Sequence, residues 1–329
     1  MKKLLLGMLA IVAMVATSCQ KDVNINGGDA TDVVITVSVP DTRVFSDGYS
    51  ATTLKYAVYD ANNNYLSAHT TTVNDAFDAE RKATVKLRLT TGNKYSMVFW
   101  AEAPNNPHYV VDFENKTMTV NYTGAISNDE TRDAFYCNTG VFTVAKGMQP
   151  ISATLTRPFA QLNIGSCDFA ESEAAGHKVT YSKVVVPAYK VLNLLTGKTE
   201  GTKEDVTFAY APIPDHNAET FPVEVASGEI VYEYLAMNYI LMDVATNTDT
   251  VEITYYYTTG DSNPNLDVEK YYAVGSVPLQ RNYRTNIYGY LFTEFVEGEV
   301  EIDPGYDNPV NDTDHNVVAP LHIVPGTNN

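Results

Sequence analysis

Cysteine is scarce in this chain, with Cys19, Cys137 and Cys167 the only three in 329 residues. No two of them have C-x-x-C spacing, which argues against structural zinc. Tryptophan occurs once, as Trp100. Basic side chains are few: 22 Lys and Arg against 40 Asp and Glu leave a formal charge of −18. So acidic a surface lacks the basic face that a nucleic-acid partner requires and suits a soluble, self-repelling extracellular protein. No long amphipathic helical pattern is present, nor is H-E-x-x-H, G-x-S-x-G or a glycine-rich phosphate loop. The six histidines contain no i, i+4 pair, and no carboxylates are singled out as a glycosidase pair. These absences predict a non-catalytic protein with no cofactor and no metal site.

Long apolar runs are missing too, apart from one at the start. Leu4–Ser18 follows Lys2 and Lys3 and ends in Ala16-Thr17-Ser18-Cys19. A basic start, a short apolar middle and small residues before a cut predict an export signal over residues 1–18, too short to span a bilayer. The cysteine at the cut resembles the lipobox of bacterial lipoproteins, in which the thiol is acylated and becomes the new N-terminus. The plainer alternative is a secretory signal with a chance cysteine. Lipidation of Cys19 would make a covalent lipid the membrane anchor, and residues 19–32, polar with Gly27-Gly28, would form a flexible tether. Export also permits a disulfide between Cys137 and Cys167, although both lie in apolar contexts that suit free thiols equally well.

Strand patterns dominate the remainder. Val33, Ile35, Val37 and Val39 alternate with Val34, Thr36 and Ser38. Leu54, Tyr56 and Val58 do the same, as do Val85, Leu87 and Leu89. Tyr95–Ala101 is a continuous apolar run that predicts a central strand, with Trp100 in the first core. Ser127–Tyr136 predicts a helical turn or two capped by Ser127 or Asn128, and Asp168–Ala175 a short helix stopped by Gly176. Many short strands between turn residues predict an all-β chain of two tandem sandwiches, at 33–156 and 157–302, followed by an acidic tail at 303–329.

A series of segments then resembles a known family. VPDTRVFSDG (Val39–Gly48), LKYAVYDANNN (Leu54–Asn64), MVFWAEAP (Met97–Pro104), RDAFYC (Arg132–Cys137), LTRPFAQLNIG (Leu155–Gly165), LNLLTGK (Leu192–Lys198), LAMNYILM (Leu235–Met242) and VPLQRNYRTNIYGYLFT (Val277–Thr293) occur in order. Together they are similar to fimbrillin-like surface lipoproteins of Bacteroidales, the domain of unknown function family 6562, related to the subunits of lipoprotein-derived pili. The resemblance implies two transthyretin-like, Greek-key β-sandwiches and a place at the outer membrane or cell surface. It also implies assembly by strand exchange, in which a protease cuts after an arginine, the first strand leaves, and an extended strand from a neighbouring subunit fills the groove.

On that resemblance, Arg43 and Val44 flank the candidate cleavage site, and Val33, Ile35, Val37 and Val39 mark the candidate displaced strand. Val317, Ala319, Leu321 and Ile323 are candidate donor side chains, with Pro320 among them removing one ladder hydrogen bond. A strand held between two permanent neighbours, with Arg43 walled in, would count against exchange by this route. The expected partners are other pilus-type subunits or a second copy, the membrane through the lipid, and a host protein or glycan. The competing reading is a monomeric, non-catalytic surface lipoprotein that binds glycans through tyrosines such as Tyr255-Tyr256-Tyr257 and Tyr271-Tyr272. Asp303, Asp307, Asp312 and Asp314 offer oxygens for calcium, though not at the spacing of a calcium loop, so a solvated acidic turn is the alternative.

Overall fold

The computed structural model describes residues 29–39, 48–212, 232–258, 268–293, 298–303, 319–320 and 323–325. An extended chain points successive side chains to opposite faces, so alternating sequences become half-buried strands. The first half supplies β1 (Ala30–Ser38), β2 (Thr53–Asp60), β3 (Thr71–Val73), β4 (Lys82–Thr90), β5 (Lys94–Glu102), β6 (Tyr109–Asp112), β7 (Thr117–Val120), β8 (Phe135–Asn138), β9 (Phe142–Thr143) and β10 (Ile151–Thr154). The second supplies β11 (Phe159–Ser166), β12 (Lys178–Ala188), β13 (Val191–Asn193), β14 (Thr199–Glu200), β15 (Glu204–Pro212) and β16 (Glu233–Leu241). It continues with β17 (Asn247–Thr258), β18 (Val268–Leu279), β19 (Arg284–Gly289), β20 (Gly298–Asp303), β21 (Ala319–Pro320) and β22 (Ile323–Pro325). The fold is nearly all β and sandwich-like.

One topology appears twice. In the first half β1 lies between β4, antiparallel, and β10, parallel. In the second, β11 lies between β16, antiparallel, and β19, parallel. The facing sheets match as well: β5 lies antiparallel between β2 and β8, and β17 lies antiparallel between β12 and β18. These two parallel pairings stand out among otherwise antiparallel ladders. They join strands more than a hundred residues apart, a separation that local turn signals do not report.

Two cores result. Val33, Ile35 and Val37 meet Leu54, Val58 and Phe99 in the first. The second contains Leu162, Ile164, Val184 and Ile253, and it extends to Tyr59, Val98 and Trp100 on the other face of β2 and β5. β5 is therefore covered on both sides, the physical reason for its unbroken apolar run. Trp100 does not sit in the first core. Its ring meets Tyr109 edge-on at 5.3 Å and Phe159 at 6.4 Å, in the core shared with the second half. A further sheet draws β6 and β7 from the first half and β13 and β14 from the second, with Thr119 opposite Val191.

The helix α1 (Phe169–Ala174) stops before Gly176, whose φ of +85° suits glycine. The expected turn near Ser127 is a short 3-10 segment, Glu130–Arg132, and its cap is Asp129, which accepts from the Thr131 amide. Ser127 is drawn away by a 2.7 Å hydrogen bond to Asn238, and Asn128 pairs with the Met237 amide.

Candidate functional site: the first strand and its groove

β1 presents Val33, Ile35 and Val37 to the first core at 0% exposure. Val39 follows them inward. β4 pairs with the strand along its whole length, from Ala30 opposite Thr90 to Ser38 opposite Lys82. β10 pairs only with its second part, from Ile35 opposite Ile151 to Ser38 opposite Thr154. Among the described residues, Ala30–Val34 therefore has a ladder on one side alone. The candidate displaced strand is thus an interior strand at its C-terminal end and an edge at its N-terminal end. Taking it away would leave β4 and β10 facing a trough floored by Leu54, Val58, Val85, Leu87 and Phe99.

Residues 40–47, which contain Arg43 and Val44, lie outside the described residues. Both stems of that connection attach to Arg81. The Val39 amide donates to the Arg81 carbonyl at 3.0 Å, and Arg81 Nη2 donates to the Gly48 carbonyl. The guanidinium also lies over the Tyr49 ring, 4.8 Å from its centre. Arg81 takes a positive φ of 59°, set by a turn in which Asp78 Oδ1 accepts from the amides of Glu80 and Lys82 at 2.9 Å. Sequence reasoning missed Arg81; its one local signal is the turn-forming Asp78. Gly48 packs so tightly on Phe135 that an added Cβ would lie 2.7 Å from the ring.

The tail is divided between two sheets. Ala319 opposes Val300 as β21 extends the β11 sheet, with Pro320 opposite Glu299. Ile323 opposes Val274 as β22 extends the β12–β17–β18 sheet. Ala319 and Ile323 therefore belong to different sheets rather than to one continuous donor strand. Val317 and Leu321 lie outside the described residues, as do Cys19, residues 20–28 of the tether, and Asp307, Asp312 and Asp314. The last residues expected in the tether, Ala30–Asp32, are instead part of β1, where they pair with β4.

No group of three or more His, Cys, Asp or Glu side chains suited to a metal occurs among the described residues, and no described helix is long and apolar enough to cross a membrane. Cys137 and Cys167 are free thiols; burial pushes that of Cys137 up to about 11. His108 Nε2 faces Asp129 Oδ2 and Thr131 Oγ1, both at 3.1 Å. Burial acts to raise the Asp129 carboxyl. Hydrogen bonds from His108 and Thr131, with the imidazole charge, outweigh it and hold the group at about 2. A carboxylate held so low is a weak base, so this cluster ties loops together rather than moving protons. Among the tyrosines, Tyr255 and Tyr272 are core residues whose hydroxyls bond at 3.0 Å, whereas Tyr256 and Tyr271 face outward.

No curated protein matches the chain significantly. Several solved structures are similar to it at low identity. A Parabacteroides distasonis protein provisionally named for cell adhesion is 14% identical, with 91% of this chain and 98% of that one covered and a TM-score of 0.46. The fimbrial anchor protein Mfa2 from Porphyromonas gingivalis is 10% identical, with 83% and 97% covered and a TM-score of 0.43. A fimbrial assembly protein from Parabacteroides distasonis is 11% identical, with 83% and 96% covered and a TM-score of 0.40. The sequence profile of the Family of unknown function (DUF6562) matches residues 25–320, nearly the whole chain, and the protein belongs to that family.

Proposed function

We propose that this protein is a cell-surface lipoprotein of fimbrillin type, a non-catalytic structural or adhesion subunit anchored through Cys19 that assembles by β-strand donation. The observation that carries this reading is the place of β1. It is the first described strand of the chain, it fills a trough between β4 and β10, and it is followed by the connection that holds Arg43. Val33, Ile35 and Val37 on this strand and Val39 just after it leave water, worth roughly 6–12 kcal/mol at ~1.5–3 each. Pairing on both sides over Ile35–Ser38 counts against passive peeling, so exchange needs two events. A cut after Arg43 frees the strand from the body, and an incoming strand restores the lost ladders and refills the pockets. In the tail, β21 holds two residues and β22 three, short enough to detach at little cost and serve as the donor.

Mass spectrometry of the mature protein shaved from intact cells tests the proposal. A new N-terminus at Val44 is the expected result. Finding Cys19-linked peptides alone would remove maturation by cleavage.

A further inference from the structure

We infer that the outer face of β12, β17 and β18 is a binding platform for a neutral glycan. Tyr181 on β12 lies directly opposite Tyr256 on β17, which lies opposite Glu269 on β18. In the next outward row, Lys183, Thr254 and Tyr271 stand side by side. Glu252 follows on β17. Three tyrosines thus occupy three neighbouring strands on one face, with Tyr181 41% and Tyr271 39% exposed.

Thr254 reveals how this face is arranged. It points outward, where a short side chain on a free sheet surface is normally wet, yet it is only 2% exposed. Its neighbours on that face are Lys183 and Tyr271 across the strands and Glu252 and Tyr256 along its own. The Tyr271 hydroxyl is hydrogen-bonded to Glu252, which holds ring and carboxylate side by side on this face. An exposed aromatic ring offers an electron-rich face to a ligand. Adjacent strands are about 4.8 Å apart, so three of them span about 10 Å, close to the length of two linked pyranose rings.

A pyranose suits this surface chemically. Its axial C–H groups pack on an aromatic face, and its equatorial hydroxyls reach the carboxylates of Glu252 and Glu269 and the ammonium of Lys183 at the margin. A phosphate-rich polymer is disfavoured by two carboxylates against one ammonium. A second copy meeting this face symmetrically would place Glu252 and Glu269 against their own counterparts. Polar residues separate the rings, so the face also lacks the continuous apolar centre of a protein interface. The inference is independent of strand donation.

Electrophoresis of the detergent-solubilised full chain through native gels containing mannan, galactomannan or β-glucan provides the test. At least one polysaccharide is expected to retard the wild type. The Tyr181→Ala/Tyr271→Ala variant should bind about tenfold more weakly, from ~0.7 kcal/mol for each lost ring. Tyr181→Phe/Tyr271→Phe should remain retarded, because the rings persist. These rings are exposed, and an unchanged thermal midpoint will show that the alanine variant is folded. Wild type passing all three gels unretarded, or equal retardation of the alanine variant, overturns the inference. So does a loss of self-association in that variant by sedimentation, which would assign the face to a second copy.

Discussion

Arg157 donates from Nε and Nη2 to both carboxylate oxygens of Asp133, at 2.6 and 2.7 Å, with the two side chains 1% and 0% exposed. The guanidinium also stacks 4.5 Å from the centre of the Phe135 ring, and the Arg157 amide donates to Asn282 Oδ1 in the second half. One residue thus joins the link just ahead of β8 to the turn before β19. Removing either partner alone leaves a buried charge, and Asp133→Ala or Arg157→Ala should lower unfolding stability by about 3–5 kcal/mol. The double variant Asp133→Leu/Arg157→Met should lose less than either single one. Urea denaturation of the three proteins checks this, and additive losses would show that the pair is not coupled.

Gly48→Ala combines two costs, a positive φ of 73° and a Cβ 2.7 Å from Phe135. Gly92→Ala carries only the first, since nothing lies within 4 Å of its added Cβ at φ +85°. The second variant should lose about 1 kcal/mol and the first about 1–3 kcal/mol more. Thermal melts of both isolate the steric term. Gly48→Ala should also make the 40–47 connection easier to cut, because it disturbs the Gly48 carbonyl that Arg81 holds.

Acid should lower the stability of the protein in two stages. Burial pushes the His69 imidazole pKa down, so its contribution is complete above about pH 6.5 and is lost as pH falls below that value. Asp129 is held at about 2 in the folded chain, against ~3.9 when unfolded. Its stabilisation, about 1–2 kcal/mol once solvent screening of this half-buried group is discounted, is present above about pH 4 and disappears as pH falls to about 2. His69→Phe should abolish the first stage and Asp129→Asn the second. Unfolding free energies measured from pH 8 to pH 2 will show both.

A chain that begins at Val44 lacks β1 and should form ladders that survive mild denaturant, whereas the uncut protein should stay monomeric. A synthetic peptide of residues 29–39 should suppress those ladders by refilling the trough. Gel electrophoresis without heating reads both outcomes. Monomers from the shortened chain would count against strand donation.

Alternation carried the most information where one face is wet. Whereas β2 is buried on both faces, β1 and β4 are visible because Val33 and Val85 each begin or continue a two-residue rhythm. β3, β6, β13 and β14 were not, since two to four residues hold too little rhythm and owe their form to distant partners such as Thr119 for Val191. The run around Trp100 is apolar on both faces, so periodicity alone cannot tell which face meets which half, and Trp100 lies in the shared core rather than the first. The candidate site was legible as a strand and an arginine. The Arg81 clamp was hidden, since a backbone carbonyl and a positive φ leave no mark in composition. Thr254 gives no warning of its burial either, because its neighbours are set by cross-strand register.

The duplicated topology has an unequal consequence for its two halves. Among the described residues only Asp29 stands ahead of β1, so a single scission behind it would set that ribbon loose. Its counterpart β11 is leashed at both ends, with ten described strands before it and eleven after. The same cut there would split the molecule in two, which leaves the front half alone able to trade its opening ribbon and keep its body intact.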